Sequence, residues 1–305
     1  MCYGVPPAFQ FCIYNGYMKL IREKWQYLLV GLLVIGNFLV WSAVGQGMQG
    51  GVLTVAFLDV DQGDSIFIEG PTGIQVLIDG GKGKRVLTQL GEVMPFYDHS
   101  LDVIIATHPD QDHIEGLIGV LERYNALVFI EPDLITDKPF QTSLRDLVKV
   151  NGVRELVAMA GQRIDLGGGA RLEILYPDVD VSFMQADTNK ASVVARLVYG
   201  SSSFLFTGDS PLAIEDYLVD KLGTGLDVDV LKVGHHGSRT SSSPSFVTAT
   251  SPEYAIISAG KDNSYGHPHK EVVERMAEAG AQTVNTADTG CITFTSDGTV
   301  LSRAH

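Results

Sequence analysis

The amino-acid sequence predicts a layered α/β domain of about 250 residues behind one apolar N-terminal segment. Three observations predict it. Short runs rich in β-branched and aromatic residues recur from residue 52 to the C-terminus, and segments with apolar residues at helical spacing lie between them. No long low-complexity or charged linker divides residues 52–305.

The strand-like runs form two series. VLTVAFL (52–58), SIFIE (65–69), IQVLID (74–79), DVIIA (102–106) and ALVFI (126–130) are each bounded by Gly, Pro, Asp or Asn. RLEILYP (171–177), SVVARLV (192–198), SFLFTGD (203–209), DVDVLKV (227–233), YAIIS (254–258) and CITFT (291–295) make up the second. Helical spacing appears in EGLIGVLERY (115–124), FQTSLRDLVKV (140–150), PLAIEDYLVDKLG (211–223) and HKEVVERMAEAG (269–280), and Gly ends the last two.

At the N-terminus, residues 18–46 read as a membrane anchor or signal segment. Lys19, Arg22 and Lys24 precede an uncharged apolar run from Trp25 to Val44, roughly the 20 residues a helix needs to cross the hydrocarbon layer. Ser42, Ala43 and Gly45 make a poor cleavage site, which favours a retained anchor over secretion after signal cleavage. Because the cations lie on the N-terminal side, the positive-inside bias places the following domain outside the cytoplasm. Residues 1–17 read as an upstream extension, and translation starting at Met18 is an alternative.

The chain is 45% hydrophobic and 19% charged, so it is no disordered protein. Its formal charge of −14 argues against a surface coated with basic residues for nucleic acid, and any polyanion would need a local positive strip. The three cysteines, Cys2, Cys12 and Cys291, build neither a disulfide framework nor a cysteine zinc cage. A GxSxG elbow, a P-loop and a cysteine placed as nucleophile are all lacking.

What the sequence does supply is Asp and His at strand ends. THPDQDHIEG (107–116) crowds His108, Asp110, Asp112 and His113 behind Ile104 and Ile105; Asp209 follows Phe204 to Phe206; His235 and His236 follow Val230 to Val233. Imidazole and carboxylate are ligands for borderline and hard divalent cations. In a short non-helical loop, His108 and Asp110 face one point while Asp112 and His113 face another, a spacing that suits two metals side by side, with Asp209 as the natural bridge. Any one motif is weak. Three in order, each behind a strand, point to a metal centre at one rim of a sheet.

HPDQDH, FTGDS, LKVGHHGS and NSYGHP, preceded by FLDVDQGDSIFI and VLIDGG, resemble the metallo-β-lactamase fold, and within it the hydrolase domain of the ComEC family of competence DNA-uptake proteins. The resemblance covers about residues 52–302. It implies an αββα sandwich with the metal centre at one edge of the two sheets, and a domain that in that family is extracytoplasmic and suspected of cutting DNA. It assigns His108 and Asp110 to one metal position; Asp112, His113 and one of His235 and His236 to the other; and Asp209 to the bridge. His235 is favoured of the pair because it continues the alternation Leu231, Val233. His267 in YGHP reads as a group behind the ligands, a substrate contact or a proton donor to the leaving oxygen, or else as the turn residue before Pro268. Asp64 either orients the nucleophile or caps a turn. Asp112, Asp64, Lys232 and His267 thus make up the candidate catalytic set.

Several positions depart from the family pattern. Many relatives carry His where this chain has Asp110, and a further His before the bridging Asp; no His occurs here between 113 and 235, where Asn189 and Ser192 are weaker ligands. The first position is therefore loose or empty, and the oxygen-rich donor set moves the preference from zinc toward manganese or magnesium. Asp61 and Glu115 stand where relatives usually have Gly and add negative charge near the mouth. Lys82, Lys84, Arg85, Lys232, Arg239 and Lys261 are the candidate offsets, and Gly237 and Ser238 offer backbone N–H groups.

The function so implied is metal-dependent hydrolysis of a phosphodiester, with DNA as substrate, the membrane engaged through the N-terminal helix, and a channel supplied by a separate protein, since this chain holds no polytopic segment. Two other readings keep the same fold: a lactone, ester or β-lactam hydrolase, and a non-catalytic metal-binding module at the membrane surface, which Asp61 and Glu115 favour slightly. The missing middle His disfavours a zinc β-lactamase.

Overall fold

A computed structural model describes residues 24–27, 29–41 and 51–304. The chain divides into two units, residues 1–49 and 50–305. The described part of the first is helix α1 (Lys24–Trp41), which is long and apolar enough to cross a membrane by length and composition, with none of its described side chains buried. The extension expected at residues 1–17 lies outside the described residues.

The second unit is two sheets packed face to face with helices on both outer faces. Its elements, in chain order, are β1 (Leu53–Phe57), β2 (Ile66–Glu69), β3 (Gln75–Ile78), α2 (Arg85–Val93), β4 (Ser100–Ile105), α3 (Gln111–Leu121), β5 (Asn125–Glu131), α4 (Pro139–Val150) and β6 (Arg154–Val157). There follow β7 (Arg163–Gly167), β8 (Ala170–Tyr176), β9 (Val194–Tyr199), β10 (Ser202–Phe206), α5 (Leu212–Leu222), β11 (Val230–Lys232) and α6 (Pro244–Thr250). The chain ends with β12 (Tyr254–Ile257), α7 (Lys270–Glu278), β13 (Gln282–Asn285), α8 (Thr286–Thr289), β14 (Ile292–Ser296) and β15 (Leu301–Arg303). The first sheet runs β15-β14-β1-β2-β3-β4-β5-β6 and the second β13-β12-β11-β10-β9-β8-β7.

Side-chain alternation along each strand creates the layers. In β1, Val55 and Phe57 face the second sheet, while Ala56 faces α2 and α3. Phe57 meets Phe206 of β10 with ring centroids 6.1 Å apart, tying the sheets together at their centre. Val86 and Leu90 of α2, Ile114, Leu117 and Val120 of α3, and Leu144 and Val148 of α4 cover the outer face of the first sheet. Leu218 of α5, Phe246 of α6, and Val272 and Met276 of α7 cover the second. This is the αββα arrangement that the family resemblance implies.

All eleven expected strands form, and four others join them. β6, β7, β13 and β15 are the four outermost strands of the two sheets. RELV, RIDLG, QTVN and LSR pair on one side only and leave nearly all of their side chains exposed or half-buried, so their sequences need no continuous apolar run. Where THPDQDHIEG was expected to be a non-helical loop, α3 begins at Gln111 and takes Asp112 and His113 into its first turn. Asp110 holds the N-cap position in an extended conformation, and an acidic side chain in the first turn suits the positive end of the helix dipole.

Within each sheet, the strands that matter for chemistry run in one direction. β3, β4 and β5 are mutually parallel, as are β10, β11, β12 and β13, and β1 is parallel to β3 through two antiparallel steps. The turns that follow β1, β3, β4, β10, β11 and β12 carry Asp64, Asp79, His108, Asp209, His236 and His267.

Candidate metal centre

These turns bring their side chains to one point. Asp209 is central: its Oδ1 lies 3.3 Å from His113 Nε2, and its Oδ2 lies 3.5 Å from His235 Nε2, 3.6 Å from His236 Nε2 and 3.9 Å from His108 Nε2. His108 Nε2 is 4.0 Å from Asp110 Oδ2, and His236 Nε2 is 3.4 Å from Asp112 Oδ2. Donors held at about 2.0–2.2 Å from a common ion stand at separations of this order from one another. Ligand atoms of Asp64, His113, Asp209 and His236, all buried, lie within 4.8 Å of one another.

The donor set fits a divalent cation for a second reason. Nε2 of His108, His113 and His236 and Oδ1 of Asp209 are buried without a hydrogen-bond partner. Burying one such atom unpaired is costly, and four converging on one space are satisfied together by a single class of ligand, a metal ion.

Electrostatics carry the same message. Burial opposes the protonated ring of His113, but Asp209 and Asp79 overcome it and hold the pKa well above the usual value. Burial likewise opposes the charged form of His236, and Asp209, Asp64 and Asp112 push it up to about 9. Burial disfavours ionised Asp209, yet the surrounding histidines hold its carboxyl well below the usual range, and Asp112 is lowered in the same way. The carboxylates favour positive charge at this point, which a divalent cation or protons on histidine would supply.

Groups behind the donors fix them in place. Asp79, in a left-handed conformation at φ 57, is fully buried. Its Oδ2 lies 2.8 Å from His113 Nδ1 and accepts from Thr107 Oγ1 at 2.6 Å, while its Oδ1 accepts the Thr107 N–H at 2.8 Å. Thr107 Oγ1 in turn lies 3.0 Å from His108 Nδ1, so one carboxylate orients both rings. Gly80 and, facing it on α3, Gly116 let the helix approach: a Cβ on Gly80 would stand 2.6 Å from the Leu117 nitrogen and one on Gly116 2.0 Å from the Gly80 carbonyl oxygen, and the Gly80 N–H donates to the His113 carbonyl at 2.7 Å. Asp79 was not among the sequence candidates for the site. Its signal was present as VLIDGG, an Asp followed by two glycines at a strand end.

The structure places the other candidates as follows. His236, not His235, stands with Asp112 and His113: its ring is buried, with Nδ1 2.9 Å from the Ser258 carbonyl oxygen. The alternation favouring His235 stops because β11 ends at Lys232 and both histidines have positive φ, 50° and 56°. His235 lies at the rim, with Nδ1 2.9 Å from Thr240 Oγ1 and 3.5 Å from Asn189 Nδ2. Ser192 sits behind Asp209, whose N–H donates to its Oγ at 3.2 Å. Asp110 has one oxygen facing His108 and the other bound by Lys138 and Thr188.

Lys232 does not face the mouth as a substrate-steadying cation would. It is fully buried and donates to Asp64 Oδ2 at 2.8 Å and to the Val233 carbonyl at 3.0 Å. Asp64 lies on the other side of His236, with Oδ1 3.2 Å from His236 Nδ1. The pair forms a buried support beneath that ring. His267 lines a 110 Å³ cavity that also bears Asp112, Asp209 and His236. Burial and the neighbouring His236 and His235 lower its pKa to about 4, so near neutral pH it holds no extra proton to give to a leaving group.

Residues 58–261 match the model of the metallo-beta-lactamase superfamily, and the chain belongs to it. It is 30% identical over 257 residues to ComE operon protein 3 of Bacillus subtilis (strain 168), covering 79% of this chain and 32% of that protein. It is also 33% identical over 195 residues to competence protein ComA of Neisseria gonorrhoeae, covering 64% of this chain and 25% of that one. The chain thus spans about a third or less of the length of these curated relatives. Among solved structures, the metallo-beta-lactamase fold protein YhfI from Bacillus subtilis matches 80% of this chain and 99% of its own at a TM-score of 0.54 and 12% identity, a likeness of fold alone. The chain is a metallo-β-lactamase-fold hydrolase related to competence proteins, with a His/Asp cluster suited to a divalent metal.

Proposed function

We propose that this chain is a metal-dependent phosphodiesterase, a nuclease acting on DNA at the outer face of a membrane to which helix α1 anchors it. The observation that carries this reading is Asp209, whose two oxygens are shared among four histidines while Asp110 and Asp112 stand to either side. His113, Asp112 and His236 would hold one ion, and His108, Asp110 and rim-placed His235 a second, with Asp209 between them. Manganese or zinc suits this mixed set, and magnesium is admitted by its three carboxylates. When bound, such a cation lowers the pKa of water toward neutrality and polarises a phosphoryl oxygen.

The chain's own residues do the rest. Asp79, directly for His113 and through Thr107 for His108, keeps both rings turned so that Nε2 faces the centre. Asp64 and Lys232 do the same for His236 from below. One relative, competence protein ComA of Neisseria gonorrhoeae, is named for competence, which supports DNA as the polymer.

The test uses the full chain, stripped of metal and restored with manganese, zinc or magnesium. Linear DNA, bis(p-nitrophenyl) phosphate and a chromogenic β-lactam are offered in parallel. Metal-dependent turnover of the first two, abolished in Asp112→Ala and His113→Ala, is expected. Turnover of the lactam alone, or metal uptake without any turnover, would overturn the reading.

A further inference from the structure

The geometry points to a nucleotide-binding groove beside the metal centre, built to hold an unpaired strand of a polynucleotide next to the phosphate being cleaved; this rests on the phosphodiesterase reading above. A 530 Å³ cavity adjoins the small cavity over the histidines, and Gln62, Asp112 and Tyr265 line both. The larger cavity therefore reaches the edge of the centre at Asp112.

Three cations from two connections line this groove: Lys82 and Arg85 between β3 and the start of α2, and Lys261 beyond β12. The same walls carry Asp61, Asp112 and Asp262, so in a chain of net charge −14 the three cations balance the local negative charge and leave the groove open to a phosphate chain. Arg85 is shared by Asp59 at 3.5 Å and Asp61 at 3.6 Å. Lys82 and Lys261 make no ion pair among the described residues. Two ammonium groups are thus left to meet phosphates on either side of the strand's path.

The aromatic element is Tyr265. It is 63% exposed, and its ring stacks on His267 at an interplanar angle of 19°, with centroids 5.6 Å apart. Its outward face is open at the junction of the two cavities. Such a face accepts any base, but only one freed from its own stack and pair. The volume agrees, being that of a small-molecule pocket and not of a duplex.

The loop that presents Tyr265 is set in advance. Asn263 Oδ1 accepts from the N–H groups of Tyr265 at 3.1 Å and His267 at 3.0 Å, and its Nδ2 donates to the carbonyls of Gly260 at 2.7 Å and His267 at 2.6 Å. The Gly260 N–H donates to Gln62 Oε1 at 3.2 Å, tying the loop to the turn after β1. A platform fixed this way loses little freedom when a base settles on it.

The experiment measures anisotropy of a short fluorescein-labelled oligothymidylate on the full chain with calcium present. Tyr265→Ala is expected to weaken binding about tenfold, and Tyr265→Phe to restore it, which a folding defect in the loop would not allow. Lys82→Ala with Lys261→Ala should reduce the slope of log Kd against log salt by about 0.7 for each lysine. In turnover, the same variants should lower kcat/KM for the oligonucleotide at least tenfold more than for bis(p-nitrophenyl) phosphate. Wild-type binding by these variants, or a blunt duplex bound as tightly as the single strand, would overturn the groove. Absence of metal-dependent diester turnover in the wild type would instead sink the phosphodiesterase reading, and anisotropy would still judge the groove on its own.

Discussion

Asp79 Oδ2 and His113 Nδ1 lie 2.8 Å apart, both groups fully buried, with the Thr107 hydroxyl bound to the same carboxylate oxygen. The contact decides which ring nitrogen of His113 is free. With Nδ1–H donated to Asp79, Nε2 is left to face Asp209. Asp79→Asn would turn an amide N–H or a weaker carbonyl toward Nδ1 and loosen this choice. Metal affinity should fall about 10- to 100-fold, as for other carboxylates that orient a ligating histidine. Competition with a chromophoric chelator measures it, and an unchanged affinity would mean that Asp79 serves packing alone.

Metal uptake should be coupled to protons and to stability. Folding raises the pKa of His113 and of His236, the latter to about 9, above an unfolded value near 6.5. A group raised in the fold contributes stability fully below the unfolded pKa and loses it as pH climbs through the folded one. The metal-free protein should therefore lose thermal stability from about pH 6.5 to 9. A bound cation replaces those protons, so metal-loaded protein should resist that loss and affinity should rise with pH over the same window. Calorimetry in buffers of different ionisation enthalpy should show protons released on binding near neutral pH.

The sequence made the interior legible and left the periphery dark. Phe57, Ile105 and Phe206 sit in strands buried on both faces, and those strands had to be apolar runs. The outer strands β6, β7, β13 and β15 are half solvated, so RELV or QTVN carries no such mark. The ligand turns were readable because Asp and His cluster behind β4, β10 and β11. What could not be read was orientation. Helix α3 starting at Gln111 sends Asp112 and His113 to different partners, and the positive φ of both His235 and His236 breaks the strand alternation that seemed to choose between them. Lys232 looked like a cation at a mouth, since sequence does not show that its side chain turns inward to Asp64.

That inward turn makes Lys232 a sharp test. Lys232→Met leaves the Asp64 carboxylate buried without its ammonium partner, a change that costs about 3–5 kcal/mol. Adding Asp64→Leu removes the stranded charge and should recover much of the loss. Chemical denaturation of the single and double variants reads both. Were Lys232 a substrate contact, stability would hold in the single variant and KM alone would rise.

Asp61 lies at the groove in a left-handed conformation, φ 69, where Gly carries no Cβ penalty. Its carboxylate also engages Arg85 at 3.6 Å on an exposed surface, a pair that contributes at most about 1 kcal/mol. Asp61→Gly relieves the backbone, gives the unfolded chain more freedom and removes the pair, so these small effects offset and stability should move by less than about 1 kcal/mol. The charge effect has one sign. Removing a negative group from the groove and loosening one of the two carboxylates on Arg85 should tighten polyanion binding. Oligonucleotide affinity at low salt should rise severalfold, and the gain should shrink as salt is added because the charges are exposed. An affinity that stays flat across that salt series would mean that a strand never passes Asp61.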